Sequence, residues 1–299
     1  MKAETADFVV EPPGGRLDAY LADRIADRSR TSLQAMIRNG QVQVNGRSVA
    51  KPAFELHSGD TIQVSRPGVE PPVDDYPPLA LDIVHETTDY MVVNKPAGIV
   101  VHPSPGHESG TLAQAAIAHA PELGDLGEAG RGGLVHRLDK DTSGLILFAK
   151  NEATLTLLQE QFKTRKIKKT YLALVDGSPP SDEGRVEASI ARDPRNRQRF
   201  AILESGRPAV TDFRIKERFD RHALLEAFPI SGRTHQIRIH MKFLGCPVVG
   251  DQVYGHKKRS LDVDRQQLHA WKLRLPDRDE FEAPIPADLA DAIRQASRI

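Results

Sequence analysis

Apolar residues recur at helical spacing at Leu17, Tyr20, Leu21 and Ile25, which predicts a helix over Arg16–Ile25. A second helix is drawn from Ser32 to Asn39, with the hydroxyls between Ser29 and Ser32 as N-cap candidates and Gly40 as the stop. The period then shortens to two. Val42-Gln-Val44, an Asn45-Gly46 pair and Ser48-Val49 predict a hairpin, and the stretch 59–64 adds a strand. Between Pro67 and Pro78 the pattern stops: five of the twelve residues are proline and three are acidic, the composition of an extended spacer. The expected division is therefore a small unit over 1–66, a linker over 67–78 and a larger unit over 79–299.

The larger unit mixes strands and helices. Leu81–Val84 and Tyr90–Asn94 are predicted strands, and Thr111–His119 is a short predicted helix. Pro121–Gly133 holds five glycines and predicts a mobile loop. Gly144–Phe148 is an unbroken apolar run, expected to be a buried strand, and Glu152–Thr164 is helical in period. A basic segment from Arg165 enters a strand ending near Val175. A strand end, turn and helix closed by Gly245 span 227–245, a late strand opens at Leu268-His269-Ala270, and an amphipathic helix over Pro286–Ser297 ends the chain. There is no internal repeat.

Composition narrows the class. At 299 residues with 39% hydrophobic content, the chain is long enough for two domains and a sizeable core. The single cysteine, Cys246, excludes an internal disulfide and a cysteine metal cluster, which fits a reducing compartment. No apolar run approaches a membrane span, and the first eight residues lack the pattern of a signal peptide, so a cytoplasmic monomer is expected. Basic and acidic residues balance at 41 each, but unevenly along the chain. Ten acidic residues face one lysine over 67–130, a net of −9, whereas 131–170 carries nine basic and four acidic, a net of +5, and 191–221 nine and five, a net of +4. Positive charge thus gathers around and after the 133–144 stretch, where it can steer a polyanion.

That stretch, Gly133-Leu-Val-His136-Arg137-Leu-Asp139-Lys140-Asp141-Thr142-Ser143-Gly144, sets two carboxylates among three potential cations directly before the buried strand. A charged turn alone would have that composition, but a polar loop held by a core strand is also how sites are built. His136-Arg137-Leu138-Asp139-x-x-Thr142-Ser143-Gly144 resembles the signature of the RluA/RluD-type pseudouridine synthases. Two further stretches resemble the same family in order: Asn94-Lys95-Pro96-x-Gly98 with Val101-His102-Pro103, and Gly232-Arg233-Thr234-His235-Gln236-Ile237-Arg238 extended by Asp251-x-x-Tyr254-Gly255. At the N-terminus, Arg16-x-Asp18-x-x-Leu21 and Val42-x-Val44-Asn45-Gly46 resemble the S-four-type RNA-binding domain.

The resemblance implies an α+β fold with a mixed, mainly antiparallel sheet, preceded by a small S-four-like domain. It implies isomerisation of uridine to pseudouridine in RNA, most naturally large-subunit (23S) ribosomal RNA, without cofactor or metal. Asp139 is then the catalytic carboxylate, Arg238 its cationic partner and Tyr171 the residue against the base, with Leu268 as an apolar wall. Arg137 is implied to fill the place of a flipped base, and His136, Lys95 and Arg233 to bind substrate. Arg28, Arg30 and Arg38, with Lys166 and Lys168 of the basic track, are candidate RNA contacts. A carboxylate suits chemistry at an anomeric carbon, where positive charge develops. Whether Asp139 attacks that carbon or removes a proton from the neighbouring one is open in the sequence. So are the same chemistry on transfer RNA, a non-catalytic assembly factor on this fold, and a glycosidase.

Overall fold

The structure, a computed structural model, describes residues 4–25, 30–66, 79–104, 107–127, 130–276 and 280–298. The small unit runs β1 (Glu4–Val9), β2 (Gly15–Arg16), α1 (Leu17–Arg24), α2 (Arg30–Arg38), β3 (Val42–Val44), β4 (Arg47–Ser48), β5 (Glu55–Leu56) and β6 (Thr61–Arg66). Four of the strands form an antiparallel sheet in the order β1-β6-β3-β4. The two helices cover it with Leu17, Leu21, Leu33 and Ile37, all fully buried against Ile62 and its neighbours. The Asn45-Gly46 turn has positive φ at both residues, 51° and 73°, as a two-residue hairpin requires. Helix α2 starts at Arg30, two residues before the expected Ser32, so Thr31 and Ser32 lie inside it.

In this unit Asp18 is wholly buried and accepts hydrogen bonds from Arg16, Arg30 and Gln34. Its carboxyl, penalised by burial but held by these donors, sits well below the usual carboxylate range. Arg30 is thereby fixed with half its side chain exposed, and Arg38 is exposed at the end of α2. Arg28 and the proline-rich stretch 67–78 lie outside the described residues.

The larger unit continues with β7 (Ile83–Glu86), β8 (Tyr90–Lys95), α3 (Leu112–His119), β9 (Ser143–Ala149), α4 (Glu152–Lys163), β10 (Lys168–Asp176), β11 (Glu183–Glu187), β12 (Ile190–Asp193), β13 (Asn196–Ile202), β14 (Val210–Arg218), β15 (His222–Pro229), α5 (Gln236–Phe243), β16 (Leu268–Arg274), β17 (Glu280–Glu282) and α6 (Ala287–Ala296). Nine strands make one sheet in the order β11-β14-β15-β10-β16-β9-β8-β7, with β17 beside the far half of β16. Every pairing is antiparallel except β16 with β9, so the sheet is mixed and mainly antiparallel in an α+β fold. Strands β12 and β13 form a separate hairpin.

Strand β9 is buried at every residue because both faces of the sheet are covered. Ile146 and Phe148 point into one core with α3 and α5, and Leu145, Leu147 and Ala149 into another with α4. At the crossing with β16, Gly144 has φ 110°, and a Cβ there would stand 2.2 Å from the Ala270 carbonyl oxygen. Only glycine fits, which gives the last residue of the 133–144 stretch a physical reason. Pro121–Asp125 form a 3-10 helix with Leu123 fully buried, and the Gly133 carbonyl accepts the Ala149 N–H.

Candidate active site

The loop from Leu138 to Thr142 enters β9 and is pinned from behind. The Lys140 carbonyl accepts the Gly98 N–H and the Lys95 ammonium, the Asp141 carbonyl accepts Arg265 Nη1, and the Thr142 N–H closes a turn on the Asp139 carbonyl. Lys95 therefore departs from the expected substrate-binding role. It is completely buried, and its three N–H groups go to the carbonyls of Pro96, Ile99 and Lys140, each at 2.8 Å. Burial pulls its pKa down to about 7, but three acceptors demand the three donors that only the ammonium has. Lys95 shapes the loop and is not among the residues that line the cavity on its open side.

On the open side of the loop lies a cavity of about 510 Å³. It is lined by Arg137, Asp139 and Thr142 from the loop, Phe162, Lys163 and Arg165 around the end of α4, Lys169 and Tyr171 on β10, Pro229 to Arg238 across the end of β15 and the start of α5, and Leu268 on β16. Asp139 is the one carboxylate among these lining residues. Arg238 Nη1 donates to Asp139 Oδ2 at 2.9 Å, and its Nε and Nη2 make a two-pronged pair with Asp251 at 2.7 and 2.9 Å. The Asp251 side chain is fully buried and also accepts the N–H groups of Val253 and Tyr254. Burial opposes the Arg238 charge, but the two carboxylates outweigh it and raise its pKa. Burial likewise works against the Asp251 charge, and Arg238 with the two backbone donors holds that carboxyl below its usual range. Arg238 is thus a rigid bridge from a structural carboxylate to one that opens on the cavity.

Tyr171 stands in the same cavity, 9% exposed, and burial reinforced by the Asp139 charge pushes its phenol above the usual range, so it stays neutral. Leu268 forms the apolar wall, Arg137 is exposed beside Asp139, and Arg233 reaches the cavity while its Nε holds the Pro208 carbonyl. His136 lines the cavity but not as a cation. Its Nε2 accepts the Leu147 N–H at 3.0 Å, its ring stacks on Phe162 at 4.7 Å, and burial lowers its pKa to about 3. Lys166 is exposed and outside the cavity lining, and Lys168 lines a smaller neighbouring hollow. Asp141 faces a different hollow, so the loop does not present two carboxylates to one space. Among the described residues no group of three or more His, Cys, Asp or Glu side chains could hold a metal ion, and no helix is long and apolar enough to cross a membrane.

The RNA pseudouridylate synthase profile matches residues 89–243, and that of the S4 domain matches residues 15–62. The "Uncharacterized RNA pseudouridine synthase YlyB" of Bacillus subtilis is 42% identical over 95% of this chain and 94% of its own. The "Ribosomal large subunit pseudouridine synthase D" of Neisseria meningitidis serogroup A is 42% identical over 94% of this chain and 78% of its own. The chain belongs to the RNA pseudouridylate synthase family. A solved structure, human RNA pseudouridylate synthase domain containing 1, overlays with a TM-score of 0.59 at 28% identity, covering 76% of this chain and 98% of that one.

The protein is thus an RNA pseudouridine synthase, an isomerase that acts on RNA, and its site holds one lysine of the basic track, Lys169, and one glutamine to which the sequence assigned no role. Lys169 lies two positions before Tyr171 on the same face of β10 and reaches the cavity. Its ammonium has no hydrogen-bond or ion-pair partner among the described residues and sits 5.8 Å from the Phe162 ring, and burial lowers its pKa to about 8. Of the basic track 163–169, strand alternation from Tyr171 turns Lys169 rather than Lys168 into this cavity. Gln236, quoted in a motif without a role, accepts from Ser231 and the Arg233 N–H, and donates to Val210 and Thr211, locking the turn that precedes α5.

Proposed function

We propose that this pseudouridine synthase modifies uridines of large-subunit ribosomal RNA, with the Asp139 carboxylate acting on the sugar of a uridine flipped out of its stack. The observation that carries the reading is the setting of Asp139. It is the single carboxylate on a strongly cationic cavity, locked to an arginine that is itself locked to a buried aspartate, opposite a neutral tyrosine. Cleavage of the bond between uracil N1 and the anomeric carbon builds positive charge on the sugar, which a fixed anion stabilises. The same carboxylate can attack the anomeric carbon or take a proton from its neighbour. Tyr171 and Leu268 offer a flat apolar slot for the detached base, which must turn before it rejoins through C5.

A stacked uridine cannot reach this depth, so the nucleotide leaves its helix. Arg137 fills the vacated place, while Arg233, Lys169 and the exposed Lys166 and Lys168 hold phosphates. The small unit, with Arg30 and Arg38 exposed on α2, binds structured RNA and positions it. The division at 67–78, a monomeric state and a cytoplasmic location complete the proposal. The name of the Neisseria relative favours the ribosomal target over transfer RNA. The test is to map pseudouridines in ribosomal and transfer RNA from cells with and without this protein. Loss of one or more sites confined to large-subunit RNA is expected, and loss confined to transfer RNA would overturn the target.

A further inference from the structure

Asp139 Oδ2 has a second neighbour besides Arg238. His235 Nε2 lies 3.9 Å from it, and the other ring nitrogen, Nδ1, is 2.9 Å from the Tyr254 hydroxyl. That hydroxyl oxygen also accepts the Phe200 N–H at 3.0 Å. Proton counting fixes the direction of the chain. The backbone N–H can only donate, so the hydroxyl oxygen is its acceptor, and the one hydroxyl proton needs an acceptor of its own. Among the described residues the acceptor it meets is His235 Nδ1. The neutral ring must then carry its proton on Nε2, the atom that faces Asp139. Burial lowers the His235 pKa against the pull of the Asp139 charge, in keeping with a neutral ring. A protonated ring would turn Nδ1–H toward the hydroxyl and strand the tyrosine proton.

The backbone is also unusual here. His235 caps α5 with φ 56° and ψ 20°, a left-handed conformation that few non-glycine residues adopt, and the rings of Phe200 and Tyr254 pack edge-on against the imidazole. We propose that His235 is a positioning residue for the reaction: its Nε2–H, set by Tyr254 and the Phe200 N–H, shares Asp139 Oδ2 with Arg238 and leaves Oδ1 for the sugar. At 3.9 Å the contact in the free enzyme is charge to dipole, and it shortens to a hydrogen bond as the carboxylate turns toward bound substrate. The inference rests on the role proposed for Asp139.

The test uses the full-length protein with 15N-labelled histidine. Ring nitrogen shifts should show His235 as the Nε2-protonated tautomer near neutral pH, and as a mixture in Tyr254→Phe. An Nδ1-protonated or doubly protonated ring in the wild type would overturn the proposal. Single-turnover rates on a transcript of large-subunit ribosomal RNA give the second readout. The amide nitrogen of His235→Gln falls near the Nε2 position, whereas that of His235→Asn falls near Nδ1. Asparagine, however, is the better residue for a left-handed backbone. A purely structural role therefore puts the Asn variant ahead, and the donor role puts the Gln variant ahead. The expected result is an Asn variant at least roughly tenfold slower than the Gln variant at saturating RNA, with unchanged RNA affinity. Equal rates, or Asn ahead of Gln, beside an inactive Asp139→Asn would overturn this inference alone. A fully active Asp139→Asn would overturn the reading of Asp139 and this one with it.

Discussion

Arg238 joins two carboxylates that do different things, and replacing it separates them. In Arg238→Ala the Asp251 carboxylate, with a side chain 0% exposed, keeps two backbone donors and loses its cation, whereas Asp139, 18% exposed, loses its guanidinium. Breaking one side of a buried pair costs about 3–5 kcal/mol. For a catalytic unit of this size that lowers the unfolding temperature by roughly 6–20 °C. The exposed-pair figure of about 0–1 kcal/mol does not apply, because Arg238 is 4% exposed. Arg238→Lys keeps a charge but replaces the fork by a point donor that reaches one carboxylate well, so it should fold better than the alanine variant and still turn over on the order of 100-fold slower than wild type. The partners then distribute the two effects. Asp251→Asn should lower stability nearly as much as Arg238→Ala, while Asp139→Asn should leave stability within about 1 kcal/mol because Arg238 keeps its two-pronged pair. The assay is thermal unfolding beside release of hydrogen from uracil C5 on RNA. Unchanged stability and turnover in Arg238→Ala would refute the bridge, and a large stability loss in Asp139→Asn would refute the division of labour.

Lys169 should make RNA affinity fall as pH rises through about 8, since its burial-lowered pKa means the ammonium is present below that value and lost above it. Lys169→Arg should flatten that dependence, and Lys169→Met should reduce the salt dependence of binding by about one phosphate contact. A wild-type affinity unchanged between pH 7 and 9, measured by filter binding, would remove Lys169 from the interface. Lys95→Met strips three carbonyls of a donor and should cost on the order of 3 kcal/mol, with turnover falling more than RNA affinity because the loop it pins carries Asp139. Thermal unfolding with turnover checks this, and a variant as stable as wild type would contradict it.

The elements with strong local signals were legible in the sequence. The Asn45-Gly46 hairpin, the apolar run of β9, the short helix α3 and the Gly245 stop of α5 each depend on neighbours a few residues away. Strands β11 to β14 were not read, because their buried positions, such as Thr211 and Phe213, alternate with arginine, lysine and aspartate that pair across strands at the surface. Strand β1 was missed for a similar reason, since its pairing partner β6 is more than fifty residues away. At the site, the resemblance to the synthase family brought forward Asp139, Tyr171 and Arg238, and the fold sets all three on one cavity. The chemistry of Lys95 and His136 could not be read in the same way. Lysine beside proline looks like surface and histidine beside arginine looks like charge. What decides them is three backbone carbonyls around one, and the N–H of Leu147 eleven residues from the other.

The claim on which the rest depends is that the Asp139 carboxylate does chemistry on the uridine sugar. Asp139→Asn keeps the size of the side chain and removes its charge, and Arg238 stays held by Asp251. Pseudouridine formation under single-turnover conditions, measured together with RNA affinity on the same preparation, is the direct test. No detectable product is expected, with affinity within a few-fold of wild type, because binding rests on other cations around the cavity. Product formed at a rate comparable to wild type would contradict it.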